Sequence, residues 1–342
     1  MASDPRSDWL YSPRFDLALI LGVLTLALVL GGVAAQSPAL FGWVLFFDLW
    51  LLAYPHVAST YTRVAFDRHS ARDHWFLLTA LPPLVLLGTG GAAFLGGVLV
   101  LNTVYFYWQS WHYTRQSYGI ARAYRRAGGG DPAGRDWLGD GIIFGFPVWG
   151  VLKRASEQSP TFYETPLWSP QVPHALVFVA GLLALATLAA WTLRQLRLLP
   201  TTRLGPPAGT GHALFVLSHV VITAVSYLVI PDITRGWLFI NIWHNAQYLL
   251  FVWAINARRF RGGIDPQRPF LSRLCQPDQA LRYALVCAGL GIGFYWTLGH
   301  LTGRGAWQVL PVVLVCHQAV NFHHYLVDAV IWRSPRPRPA AA

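Results

Sequence analysis

The stretch HQAVNFHHYLVDAVIWR, residues 317–333, sets three histidines, an asparagine and an aspartate among valine, leucine, isoleucine and aromatic side chains. At about 100° per residue, a helix brings His317, Asn321, His324 and Asp328 within about 40° of one line, while His323 points about 120° away. Three other apolar stretches repeat the arrangement. In DLWLLAYPHVASTYTR (48–63) His56 shares a face with Thr60 and Arg63, and Asp48 opens the segment. Around YWQSWHYTRQSYG (107–119) Tyr105, Gln109, His112 and Gln116 form one stripe, and in INIWHNAQYLLFVW (240–253) Asn241, His244 and Tyr248 do. A weaker case is HALFVLSHVV, with His212 and His219.

Each of the four strong stretches thus offers an imidazole flanked by hydrogen-bonding groups on its own face, as expected where a ligating histidine is oriented by neighbours. Imidazoles with few carboxylates and no cysteine beside them suit iron, copper or zinc better than magnesium or calcium. Away from their edges the apolar segments carry two carboxylates, Asp48 and Asp328, and no glutamate, so a carboxylate-bridged di-iron site is not indicated. The expected chemistry is a mononuclear non-haem iron (Fe2+) held by His56, His112, His244 and His324. Gln109, Gln116 and Asn321 are expected to orient the rings, and Tyr248 or Asp328 to tune or complete the sphere. His219, His317, His323 and Asp48 are further candidates. His69, His74, His174 and His300 lie in loops or at segment edges and read as ordinary surface histidines.

The elements that must position these residues are membrane-crossing helices. With 54% hydrophobic and 12% charged residues and a mean hydropathy of +0.39, the chain is far more apolar than a soluble domain. Apolar runs near the ~20 residues that cross a bilayer recur at 15–36, 39–62, 75–90, 93–120, 174–193, 212–231, 236–257, 281–299 and 306–332. A shorter run occupies 139–152. The expectation is an all-α, polytopic transmembrane bundle of nine or ten spans, one domain over 1–332, with a disordered Pro- and Arg-rich cytoplasmic tail at 333–342. Residues 15–36 are read as a retained first span, too long for a signal-peptide core.

The net charge of +11 is concentrated in the breaks at 63–73, 121–137, 194–211, 258–280 and the tail. That is the positive-inside pattern of a multi-pass cell-membrane protein, and it argues against nucleic acid as a partner. With both termini cytoplasmic, all five basic breaks fall inside if 139–152 crosses; a re-entrant segment is the competing description, and Lys153 and Arg154 weigh against a simple span. In this topology His56, His112, His324 and Asp328 lie toward cytoplasmic ends, His219 near a cytoplasmic start and His244 near mid-membrane, so the imidazoles can share a layer. Cys275, Cys287 and Cys316 form no CxxC pair and read as small apolar residues.

These motifs resemble the Brp/Blh group of membrane-bound beta-carotene dioxygenases. PHVAST at His56 is similar to that family's Pro-His-Gly segment, WHYTRQSYG at His112 to its His-Phe-Gly segment, and WHNAQYLLFVW at His244 to its third histidine segment. FHHYLVDAVIWR resembles the terminal helix through His323, Asp328 and Arg333. The likeness covers four short motifs, in order, along about 280 residues. It implies iron held by four histidines and oxidative attack with O2 on an apolar, membrane-dissolved substrate such as a polyene or other lipid. Tyr248 stands where the family has its fourth histidine, and Val57 replaces the glycine after the first. Either His324 or His219 then supplies the missing ligand, or the chemistry differs.

Two other classes fit the same residues. Paired imidazoles on facing helices can ligate haem b in an electron-transfer protein, and imidazoles lining a path can carry protons in a transporter with broken helices. A purely structural membrane subunit, its histidines serving as interhelical hydrogen bonders, is the remaining reading.

Overall fold

The computed structural model describes residues 8–130, 135–199, 206–303 and 312–332. The predicted tail at 333–342 and the first part of the 306–332 span lie outside these residues. The chain is helical nearly throughout, with a two-stranded hairpin, Thr161–Phe162 paired with Thr165–Pro166, as the β-structure among the described residues.

Local chemistry starts the helices. Helix α1 (Pro13–Ala34) and α2 (Pro38–Val64) each begin on Ser-Pro: Ser12 Oγ accepts from the Phe15 amide at 3.4 Å, Ser37 Oγ from that of Leu40 at 3.2 Å, and the following proline occupies the first turn. Two short helices, α3 (Arg68–Asp73) and α4 (Trp75–Thr79), lead into α5 (Leu81–Ala127). Asp136 caps α6 (Trp137–Ser156), and α7 (His174–Gln195) and α8 (Thr210–Val229) follow. Asp232 then caps α9 (Ile233–Arg259), and α10 (Pro269–Leu274), α11 (Ala280–Gly303) and α12 (Val312–Ile331) complete the order.

Six of these helices are long and apolar enough to cross a membrane: α1, α2, α5, α7, α8 and α11. The sequence counts nine or ten spans because α6, α9 and α12 also read as apolar runs. Those three are long helices, but charged or polar residues lower their hydropathy; in α9 and α12 the polar residues include the histidines. The expected separation of two spans at 91–92 is displaced. Helix runs on to Gly97, whose φ of 64° and ψ of −163° bend α5 into two pieces, and the first piece begins at Leu81 instead of residue 75. The apolar run at 139–152 is the middle of a regular helix, α6, packed on α7 and α8. Arg154 at its end is buried and donates to the carbonyls of Ser226 (3.0 Å), Ile230 and Pro231 (2.8 Å). These are the unpaired carbonyls where α8 ends in a π turn, so the arginine caps a helix terminus, where a cation is favoured.

Helix α9 is the axis of the bundle. Nearly every side chain from Ile233 to Ala257 is buried, polar and apolar alike, and α1, α2, α8 and α11 pack around it. Lipid tails are as apolar as a protein core, so burying apolar surface does little to hold such helices together. Close packing and interhelical hydrogen bonds, averaging ~0.6 kcal/mol each, carry that role. The polar residues of α2, α5, α9 and α12 therefore meet where these four helices converge.

Candidate metal centre

His56 owes its position to an irregular helix. Leu49–Ala53 form a π turn in α2, and Pro55, which has no amide hydrogen to give, follows at once. Such bulges re-aim a helix face and are frequent at functional sites. The face below is turned inward, and every residue from Pro55 to Thr60 is buried.

Four imidazoles from four helices gather there: His56 on α2, His112 on α5, His244 on α9 and His324 on α12. The Nε2 atoms of His56 and His324 stand 2.8 Å apart. Ring centroids lie at 4.7 Å for His56–His244 and His56–His324, and at 5.0 Å for His112–His244 and His112–His324. One ligand atom each of His56, His112 and His244 falls within 4.8 Å of the others, and so does one each of His112, His324 and Asp328. All five residues are buried.

Thr60 links His324 to Asp328 by hydrogen bonds. Asp328 Oδ1 accepts from the Tyr248 hydroxyl at 2.5 Å and from the Thr60 hydroxyl at 3.0 Å, and the second carboxylate oxygen lies 3.8 Å from His324 Nε2. With Asp328 ionised, Thr60 has spent its single proton, so at 3.1 Å from His324 Nδ1 its oxygen accepts a proton from that nitrogen. His324 Nε2 then carries a lone pair directed at the other rings. Trp332 Nε1 donates to the Tyr248 hydroxyl at 3.1 Å, and the Arg63 guanidinium lies 4.0 Å over the Trp332 ring.

His112 Nε2 and His244 Nδ1 are buried without a hydrogen-bond partner among the described residues. An orphaned buried nitrogen is costly. Two facing Nε2 atoms at 2.8 Å repel unless a proton or a cation lies between them. Metal–imidazole bonds of about 2.0–2.1 Å would hold neighbouring nitrogens roughly 3–4 Å apart on one ion. Two donor groups that share His112, His56–His112–His244 and His112–His324–Asp328, could thus each hold a metal ion.

The other predicted residues fall in different places. Gln109 bonds to the hydroxyls of Tyr105 (2.9 Å) and Tyr113 (2.5 Å) and to Trp237 Nε1 (2.7 Å), and so braces the tyrosines and Trp237, where an imidazole partner was expected. Gln116 donates to the backbone carbonyl of His244 at 3.2 Å, holding the helix and not the ring. Asp48 is bonded by Asn241 (2.5 Å) and Asn245 (3.3 Å), and Tyr113 donates to Asn241 in turn. His219 stands apart, with Nε2 3.1 Å from the Ile143 carbonyl. His323 is spoken for on both nitrogens, by the Tyr61 hydroxyl (2.5 Å) and the Leu77 carbonyl (2.7 Å). His317 and Asn321 line a cavity of about 550 Å³ into which His56, His244 and His324 also face.

Sequence reasoning missed Asn245, Trp332 and Tyr325, whose ring stacks on His112 at 4.1 Å and 23°. Thr60 was legible, one helical turn after His56, but its bond to an imidazole on another helix was not.

No protein-family model matches this chain, and neither a curated protein nor a solved structure does.

Proposed function

We propose that this protein is an integral membrane metalloenzyme, a histidine-ligated non-haem iron oxygenase that uses O2 to attack an apolar lipid or polyene drawn from the bilayer. The observation that carries this reading is the convergence of His56, His112, His244 and His324 from four helices, with His56 Nε2 and His324 Nε2 at 2.8 Å. Four neutral nitrogen donors with one carboxylate nearby favour a borderline transition metal over a hard cation. The motif resemblance to the membrane-bound beta-carotene dioxygenases points the same way, with His324 supplying the fourth imidazole that the family has at the position of Tyr248.

Iron bound there would supply the one-electron and O2 chemistry that side chains lack. The rest falls to the chain. Thr60, by accepting from His324 Nδ1, keeps Nε2 free, and Tyr248 with Thr60 holds the Asp328 carboxylate in place. The buried setting excludes water, which protects reactive species from side reactions. A haem between two of these rings is disfavoured by crowding, since the other two occupy the space its macrocycle needs. The arginine-rich breaks support a cell-membrane location with both termini cytoplasmic.

Elemental analysis and an optical spectrum of the protein, gently extracted, test the proposal together. About one iron per chain and no Soret band is the expected result. A Soret band would transfer the histidines to haem. Absence of any stoichiometric transition metal would favour the proton path of a transporter, for which the break at Gly97 is the supporting feature.

A further inference from the structure

A second cavity, of about 660 Å³, lies between α2, α5, α11 and α12 beside the one that holds the histidines. Its volume is that of a small-molecule site. Its walls are apolar, with Val57, Leu86, Leu290, Phe294 and Ala319 among them. The one histidine in its lining, His323, already has both ring nitrogens engaged by Tyr61 and Leu77. The cavity therefore offers dispersion contact and little hydrogen bonding. Phe294 is 51% exposed and Leu86 44%, on helices apolar enough to span the bilayer, so the medium at its rim is lipid tails.

Tyr54, Val57 and Tyr295 line both cavities and so form the partition between them. The Tyr54 and Tyr295 rings stack at 3.8 Å and 11°. Their helices cannot close further: a Cβ on Gly291, one turn before Tyr295, would lie 2.5 Å from the Tyr54 carbonyl. With the backbones in contact, the two stacked rings close the partition.

We infer that this apolar cavity receives the aliphatic chain of a bilayer-dissolved molecule, and that the stacked Tyr54 and Tyr295 rings form the passage by which its end reaches the histidine-lined cavity. The destination of the chain rests on the metalloenzyme proposal; occupancy of the cavity does not.

The test uses the full chain in lipid nanodiscs and a long-chain fatty alcohol carrying an alkyl diazirine, with labelled peptides located after photolysis. Label is expected on 54–66, 290–298 and 316–320. Ala319→Trp and, from the facing wall, Leu290→Trp should each lower it about tenfold, while label on the lipid-facing Leu95 and Leu285 stays unchanged. Because the two obstructions enter from different helices, failure of one to fold leaves the other to decide. Tyr295→Ala should extend the label to His317 and Asn321, whereas Tyr295→Phe should not. Label confined to lipid-facing residues and indifferent to both tryptophans would overturn the chamber. Label in the cavity that Tyr295→Ala fails to extend would overturn the passage. His244→Ala, which removes a proposed ligand, should keep the label; cavity label in unsubstituted protein that holds no stoichiometric metal would leave the chamber standing and defeat the metalloenzyme reading alone.

Discussion

His56 and His324, 268 residues apart in the chain, bring their Nε2 atoms to 2.8 Å inside the membrane bundle. With His324 protonated on Nδ1, its Nε2 cannot donate. For His56 to donate instead, its Nδ1 must be the bare nitrogen. A cation bound by both Nε2 atoms removes the conflict between the two rings. His324→Ala or His56→Ala should lower metal content by more than the ~10–100-fold typical of losing an outer partner, read by elemental analysis of protein at matched yield. Chelation should also lower the melting temperature, because a ligand held at 100 times its Kd stabilises the folded state by ~2.7 kcal/mol. Full metal content in both variants would remove these two histidines from the site.

Thr60 is the sharper test of geometry, since it touches no metal in this arrangement. Thr60→Val keeps the shape and deletes the acceptor for His324 Nδ1–H and a donor to Asp328. Metal affinity should fall ~10–100-fold, and Thr60→Ser should restore it. Equal affinity in the Val and Ser variants would show that the hydroxyl does not hold the ring.

Gly97 bends α5 in a backbone region that is essentially restricted to glycine. A Cβ there meets nothing, so a substitution acts through the backbone alone. Gly97→Ala should cost ~1–3 kcal/mol, visible as a lower melting temperature in detergent. An unchanged melting temperature would mean that the bend relaxes without penalty.

How much of this was legible follows from what sequence can encode. Periodicity places His56, His112, His244 and His324 each on a polar face, because a helix face is a local property. Which faces meet is not local. Gln109 looks like an imidazole partner along α5, but it turns to Trp237 and two tyrosines once α9 packs beside it. His219, in a weaker pattern, and His323, off the polar line of its helix, also lie in apolar stretches and are taken by the backbone carbonyls of Ile143 and Leu77. The break in α5 went to Gly97 instead of 91–92 because several glycines there are equally permissive in sequence, and packing chose among them. Arg154, which weighed against a membrane helix, is buried as the cap of a neighbouring helix, a role fixed by tertiary contact.

The ion pair at the start of α6 gives a prediction about pH. Asp136 is the N-cap, accepting from the Gly139 amide at 3.1 Å, and Arg194 in the last turn of α7 grips it at 2.7 and 3.0 Å. Burial pushes the carboxyl up, but the Arg194 fork and the helix amide outweigh it and hold the group below the usual carboxylate range. Between the ordinary value of about 3.9 and that lowered one, the unfolded chain binds the proton while the folded chain does not. The stability is therefore full above about pH 5 and is lost as pH falls toward the folded value. Asp136→Asn keeps a cap and leaves Arg194 buried without its carboxylate, a loss of ~3–5 kcal/mol for such pairs at neutral pH. Thermal unfolding followed by tryptophan fluorescence should show a gap between the natural protein and the variant that is constant from pH 7 to about 5 and narrows below about 4. A gap that stays the same down to pH 3 would mean that the pair contributes through shape alone.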